Sequence, residues 1–98
     1  MPTHDEFEQF MREYLALTPA KRRLFAKAVV KMVADMKAGK PFRKSLRISV
    51  IGGYPGIYEM TWDMPDGRAT FMYGPEQVPG EPHIIWRRIG GHDIFDHP

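Results

Sequence analysis

Cysteine is absent from the whole chain. That excludes disulfides, thiolate-bound metals and a cysteine nucleophile, and it fits a reducing, cytoplasmic compartment. Long apolar runs are missing too: nothing approaches the ~20 residues needed to cross a bilayer, so no membrane partner is expected. The opening "MPTHDEFEQF" is acidic and amphipathic, unlike a secretory signal. Acidic residues are nearly absent from one stretch. Residues 21–47 hold ten of the fourteen Lys and Arg against a single acid, Asp35. The net charge is only +2, so the basic character is local. It fits a polyanionic or acidic partner, or simply a solvated helix face.

What is present is an ordinary globular balance. The chain is 43% hydrophobic and 27% charged, and 98 residues suit a single domain, 1–98. Thr3 followed by Glu6 reads as a capping box that opens a helix. Phe7, Phe10, Met11, Tyr14 and Leu15 continue it as an apolar stripe. Thr18 and Pro19 suit the start of a second helix, and Gly39 its end. Leu24, Phe25, Ala28, Val29, Met32, Val33 and Met36 form its stripe.

After residue 46 the period changes from 3.6 to 2. "LRISVI", "GIYEMTW", "RATFMYG" and "HIIWRRI" read as strands, joined by turns rich in Gly, Pro and Asp. The proline-rich connection "PEQVPGEP" is the one loop long enough to act as a flap. Two helices followed by a strand meander give an α+β fold, with both helices on one face of a small, mainly antiparallel four-stranded sheet. The helices should pack through Phe25, Val29 and Met32 against Tyr58, Met60, Trp62, Phe71 and Tyr73.

Alternation assigns the other face. Leu46, Ile48 and Val50 point inward, as do Tyr58, Met60 and Trp62, and then Ala69, Phe71 and Tyr73. The fourth strand is ambiguous, because Ile84, Ile85, Trp86 and Ile89 fall on both parities. With Ile84 and Trp86 inward, His83 and Arg87 point out. An uncovered face then collects Arg47, Glu59, Arg68 and Arg87, with His92 just beyond. Such a set is either a cross-strand salt-bridge ladder or a site. His92 is either a surface histidine or a proton-transfer group. The pair His92 and His97, with Asp93 and Asp96, makes only a weak metal motif.

In order, "GIYEMTW", "GRATFMY" and "IIWRRIGGHDIF" after a basic two-helix hairpin resemble the RelE/ParE superfamily of toxins from bacterial type II toxin–antitoxin modules. The resemblance covers most of residues 15–95. It implies one of two activities. RelE-like members are metal-independent, cofactor-free endoribonucleases that cut mRNA in the ribosomal decoding site. ParE-like members bind DNA gyrase without ribonuclease residues, and a degenerate member would only bind a partner. Either toxin implies a cognate antitoxin. Carried over, Arg68 matches the arginine that steadies the scissile phosphate. Glu59 falls where members place an acidic or basic side chain, and His92 matches a C-terminal general acid or base. Lys44, Arg47, Arg87 and Arg88 are then the candidate substrate-binding cations. Gly90–Gly91 is expected to use the positive φ open to glycine to turn the chain back across the face.

Overall fold

Alternating apolar residues over 58–63, 67–74 and 83–90 produce three adjacent antiparallel strands, and these build the centre of the molecule. The structure, a computed structural model, describes residues 2–98. In chain order the elements are β1 (Thr3–Glu6), α1 (Glu8–Ala16), α2 (Pro19–Lys37), a 3₁₀ turn (Lys44–Leu46), β2 (Ser49–Val50), β3 (Tyr58–Asp63), β4 (Gly67–Gly74), β5 (His83–Gly90) and a second 3₁₀ turn (His92–Asp96). The sheet runs β1-β5-β4-β3-β2. No helix among the described residues is long and apolar enough to cross a membrane.

The expected α+β architecture holds, with one more strand than the sequence pattern indicates. Thr3 and Glu6 do not form a helical capping box. They lie in β1, which pairs parallel to β5 from Thr3 opposite His83 to Glu6 opposite Trp86. The reason is tertiary: the outer edge of β5 carries unpaired amides and carbonyls that β1 satisfies. The Thr3 hydroxyl lies 2.7 Å from His83 Nδ1, and His83 Nε2 lies 3.0 Å from Asp5 Oδ2. His83 keeps the parity opposite Ile84 and Trp86, beside Ile85, but Thr3 and Asp5 of β1 leave it buried. Helix α1 starts only at Glu8, with Phe7 as an N-cap that makes no side-chain bond.

Helix α2 follows its local signals. Thr18 Oγ1 accepts from the Lys21 amide at 3.2 Å, and Pro19 occupies the first turn. At the other end Gly39 adopts φ +65°, which lets Gly39 N donate to Met36 O and Lys40 N to Asp35 O. Phe10, Phe25 and Met32 then bury against Met60, Trp62, Phe71, Ile84 and Trp86. Met60 and Phe71 are fully buried. Val29 and Tyr58 pack at the margin. Tyr73, expected inside, is 43% exposed near the end of β4.

Two departures from simple alternation matter for the site. The first is that "LRISVI" is not one strand. Leu46 is buried in a 3₁₀ turn, Arg47 closes it with φ +49°, and only Ser49–Val50 pairs with β3, Val50 being exposed. Arg47 is thus off the sheet face. The second is a bulge in β5: Thr70 pairs with Arg88 but Phe71 with Trp86, leaving Arg87 without an opposite residue. One extra residue restores the apolar parity, so Ile84, Trp86 and Ile89 all reach the core. That shift accounts for Ile89, while Ile85 stays on the opposite face, beside His83.

Candidate active site

Arg68 is set by register. It lies opposite Thr61 on β3 and Gly90 on β5, pointing away from the helices. It is only 7% exposed. Its guanidinium donates to Gly67 O at 3.0 Å and to His92 Nε2 at 3.3 Å. It forms no ion pair among the described residues, although the Asp66 carboxylate acts on it through space. A buried guanidinium without a directly paired anion is costly, and its planar fork suits phosphate.

His92 reaches Arg68 because the chain leaves β5 at Gly90 and folds back as a 3₁₀ turn whose Ile94 is buried. Asp66, in the turn before β4, receives it. Asp66 Oδ1 accepts from the His92 backbone amide at 3.0 Å and from Nδ1 of the ring. The side-chain and backbone hydrogen bonds from His92 hold the Asp66 carboxyl below the usual carboxylate range. The side chains of Asp66 and His92 are both more than half exposed, so the dyad faces solvent while Arg68 lies beneath it. Phe95 stands edge-on to the imidazole at 5.8 Å between centroids.

The glycines work differently from the expectation. Gly91 has φ −99°, and Gly90 is not left-handed either. What Gly91 supplies is room: a Cβ there would sit 2.3 Å from Asp66 Oδ2. A side chain at 91 would force Oδ2 of the carboxylate that holds the histidine to shift.

The outer face is also not open, as alternation alone implied. The tail crosses it, and Pro98 O accepts from Thr70 Oγ1 at 3.1 Å and from Arg87 Nε at 3.1 Å. Arg87 lies over the Phe7 ring, 5.0 Å from its centroid, and contacts Met72 Sδ. Arg88 forms a two-toothed ion pair with Glu13, 2.9 Å at each oxygen, and donates to His97 O at 2.7 Å. That pairing raises the Arg88 pKa further. Both arginines therefore engage the chain itself.

Glu59 lies opposite Thr70 and diagonal to Arg68, on the same face. It is half-buried and makes no side-chain hydrogen bond or ion pair among the described residues. Lys44 and Arg47 sit on and at the end of the first 3₁₀ turn, which packs beside β3. So the structure joins Arg68 and His92, keeps Glu59 nearby, ties up Arg87 and Arg88, and carries Lys44 and Arg47 on a separate element. No group of three or more His, Asp or Glu among the described residues is arranged to hold a metal, the His92–His97 motif included.

Asp66 is the residue that sequence reasoning missed. In "DMPDG" an aspartate before glycine is ordinary turn chemistry. Nothing local announces that it meets a histidine at the far end of β5.

No family model matches the chain, and no curated protein matches its sequence. Solved structures do share its fold. A histidine-to-glutamine mutant of E. coli YafQ superposes with a TM-score of 0.61 at 10% identity, covering 97% of this chain and 98% of that one. The E. coli DinJ–YafQ toxin–antitoxin complex matches with 0.61 at 12% identity, over 94% and 93% of the two chains. A second E. coli DinJ–YafQ complex gives 0.62 at 12%, over 95% and 96%. The likeness is one of fold across nearly the full length. It is the RelE-type architecture that the strand motifs resemble.

Proposed function

We propose that the chain is a RelE-like toxin, a metal-independent endoribonuclease that cuts mRNA in the ribosomal decoding site and is neutralised by a cognate antitoxin. The observation that carries the reading is the contact of Arg68 with His92 Nε2 at 3.3 Å. It supports reading Arg68 as the phosphate-binding cation and His92, beside it, as a proton-transfer group. The fold supports it, since the neighbours are a toxin and its antitoxin complexes.

The chemistry needs a proton acceptor, a fixed cation and a proton donor. In the proposed reaction the ribose 2′-hydroxyl loses its proton, and its oxygen bonds to the adjacent phosphorus. The P–O5′ bond then breaks, leaving a 2′,3′-cyclic phosphate, and O5′ takes up a proton. Arg68 stabilises the dianionic phosphorane. His92 and Glu59 are the proton-exchanging groups, each worth ~10²–10⁴-fold when well placed. Lys44, Arg47, Arg87 and Arg88 serve substrate binding, the latter two once the tail and Glu13 release them.

Inducible expression with primer-extension mapping of mRNA 5′ ends tests this. Wild type should create new ends, and Arg68→Ala and His92→Ala should lower their yield ~10²-fold or more with circular dichroism unchanged. A second reading, a non-enzymatic module directed at a protein such as DNA gyrase, draws on the internal engagement of Arg87 and Arg88. Growth arrest without new mRNA ends, equal in both variants, would favour it.

A further inference from the structure

His92 offers two nitrogens, and its neighbours separate their roles. A guanidinium carries only donors, so where Arg68 approaches Nε2 at 3.3 Å that nitrogen is the acceptor. Asp66 Oδ1, ionised below the usual carboxylate range, is an acceptor facing Nδ1. That nitrogen therefore carries the proton. This tautomer is assigned from the hydrogen-bond network.

Resting on the ribonuclease reading, we infer that Asp66 is a positioning residue that holds His92 as its Nδ1–H tautomer and so makes Nε2 the general base for the 2′-hydroxyl. The same Oδ1 takes the His92 backbone amide at 3.0 Å, so one oxygen fixes both where the residue sits and how its ring is turned. Asp66 and Arg68 lie two residues apart across the start of β4. The carboxylate that orients the base and the cation that receives the phosphate thus come from one segment, and only the histidine is brought in from β5. Gly91, with no side chain, leaves the space the carboxylate fills. A phosphate arriving at Arg68 draws the guanidinium to itself and uncovers the Nε2 lone pair at the moment it is needed. Protonation of O5′ is then left to a second group, for which Glu59 is placed on the same face.

The test pairs ¹⁵N NMR of the imidazole nitrogens at pH 7.5 with cleavage of mRNA on ribosomes, for wild type, Asp66→Asn and Asp66→Ala. Wild type should show Nδ1 protonated and Nε2 bare. Asp66→Ala should move the proton toward Nε2 and lower kcat ~10²-fold with KM little changed, since phosphate binding rests with Arg68. Asp66→Asn should keep the wild-type tautomer and recover much of kcat. The His92 amide requires the side-chain oxygen, which turns the NH₂ away from the ring. Wild-type His92 protonated on Nε2, or an unchanged tautomer in Asp66→Ala, overturns the inference. The expected tautomers without cleavage by wild type support the hold of Asp66 on His92 and overturn the ribonuclease reading instead.

Discussion

Alanine at position 91 tests the Asp66–His92 contact by pressing on it from behind. Its Cβ would lie 2.3 Å from Asp66 Oδ2 and 3.0 Å from Cγ, against an ordinary C···O approach of about 3.3 Å. Oδ2 must recede by about 1 Å, while Oδ1, which accepts both bonds from His92, already stands 3.4 Å from that Cβ. The carboxylate therefore has to turn or withdraw, and its hold on His92 is weakened. The backbone at 91, φ −99° and ψ −164°, is open to alanine. Gly→Ala at such a site stabilises by about 0.4–1 kcal/mol through the unfolded chain. Stability and activity should therefore part company. The thermal midpoint should hold or rise by a few degrees, each 1 kcal/mol being worth about 4–8 °C in a domain of this size, while mRNA cleavage falls ~10²-fold. Calorimetry and single-turnover cleavage on ribosomes read the two. On an Asp66→Ala background the alanine should add no further loss, because the contact it weakens is already gone. Wild-type cleavage by Gly91→Ala, or an additive loss in the double variant, would refute the reasoning.

Other consequences follow from the same geometry. The Arg43 side-chain and backbone hydrogen bonds hold the Asp35 carboxyl, ordinarily near 3.8, down at about 2. A depressed folded-state pKa gives stability that is present above the unfolded value and lost as pH falls toward about 2, so Asp35→Asn should lower the urea midpoint at pH 7 and converge with wild type near pH 2. Phe71, fully buried among Tyr58, Tyr73 and Trp86, should cost ~3–5 kcal/mol on change to alanine, seen as a urea midpoint shift at constant m-value. Joint charge reversal of Arg23, Lys27 and Lys31 should slow association with RNA. The effect should fade above ~0.1 M salt, where the Debye length is about 10 Å; equal association rates at every salt would make these residues a solvated helix face.

The sequence by itself determined the parts that depend on near neighbours. Thr18, Pro19 and Gly39 bound α2 as their chemistry requires, because caps act within one helical turn. The parity of Met60, Trp62, Ala69 and Phe71 foretold the core face of the sheet, because successive strand residues face opposite sides. Arg68 and His92 were legible as a pair only through a strand motif and a family resemblance. Tertiary structure decided the rest. Thr3–Glu6 suits a helix start locally and becomes a strand because the open edge of β5, eighty positions on at His83, needs partners. Arg87 reads as an outward cation on alternation and Arg88 as a substrate-binding cation through the resemblance, but a bulge and the returning tail give them to Pro98, His97 and Glu13. Asp66 reads as a turn residue and becomes the partner of His92, twenty-six positions away. No pattern within a window of a few residues encodes that meeting, because it is fixed by where a β-turn and a strand end come to lie across the β4–β5 ladder.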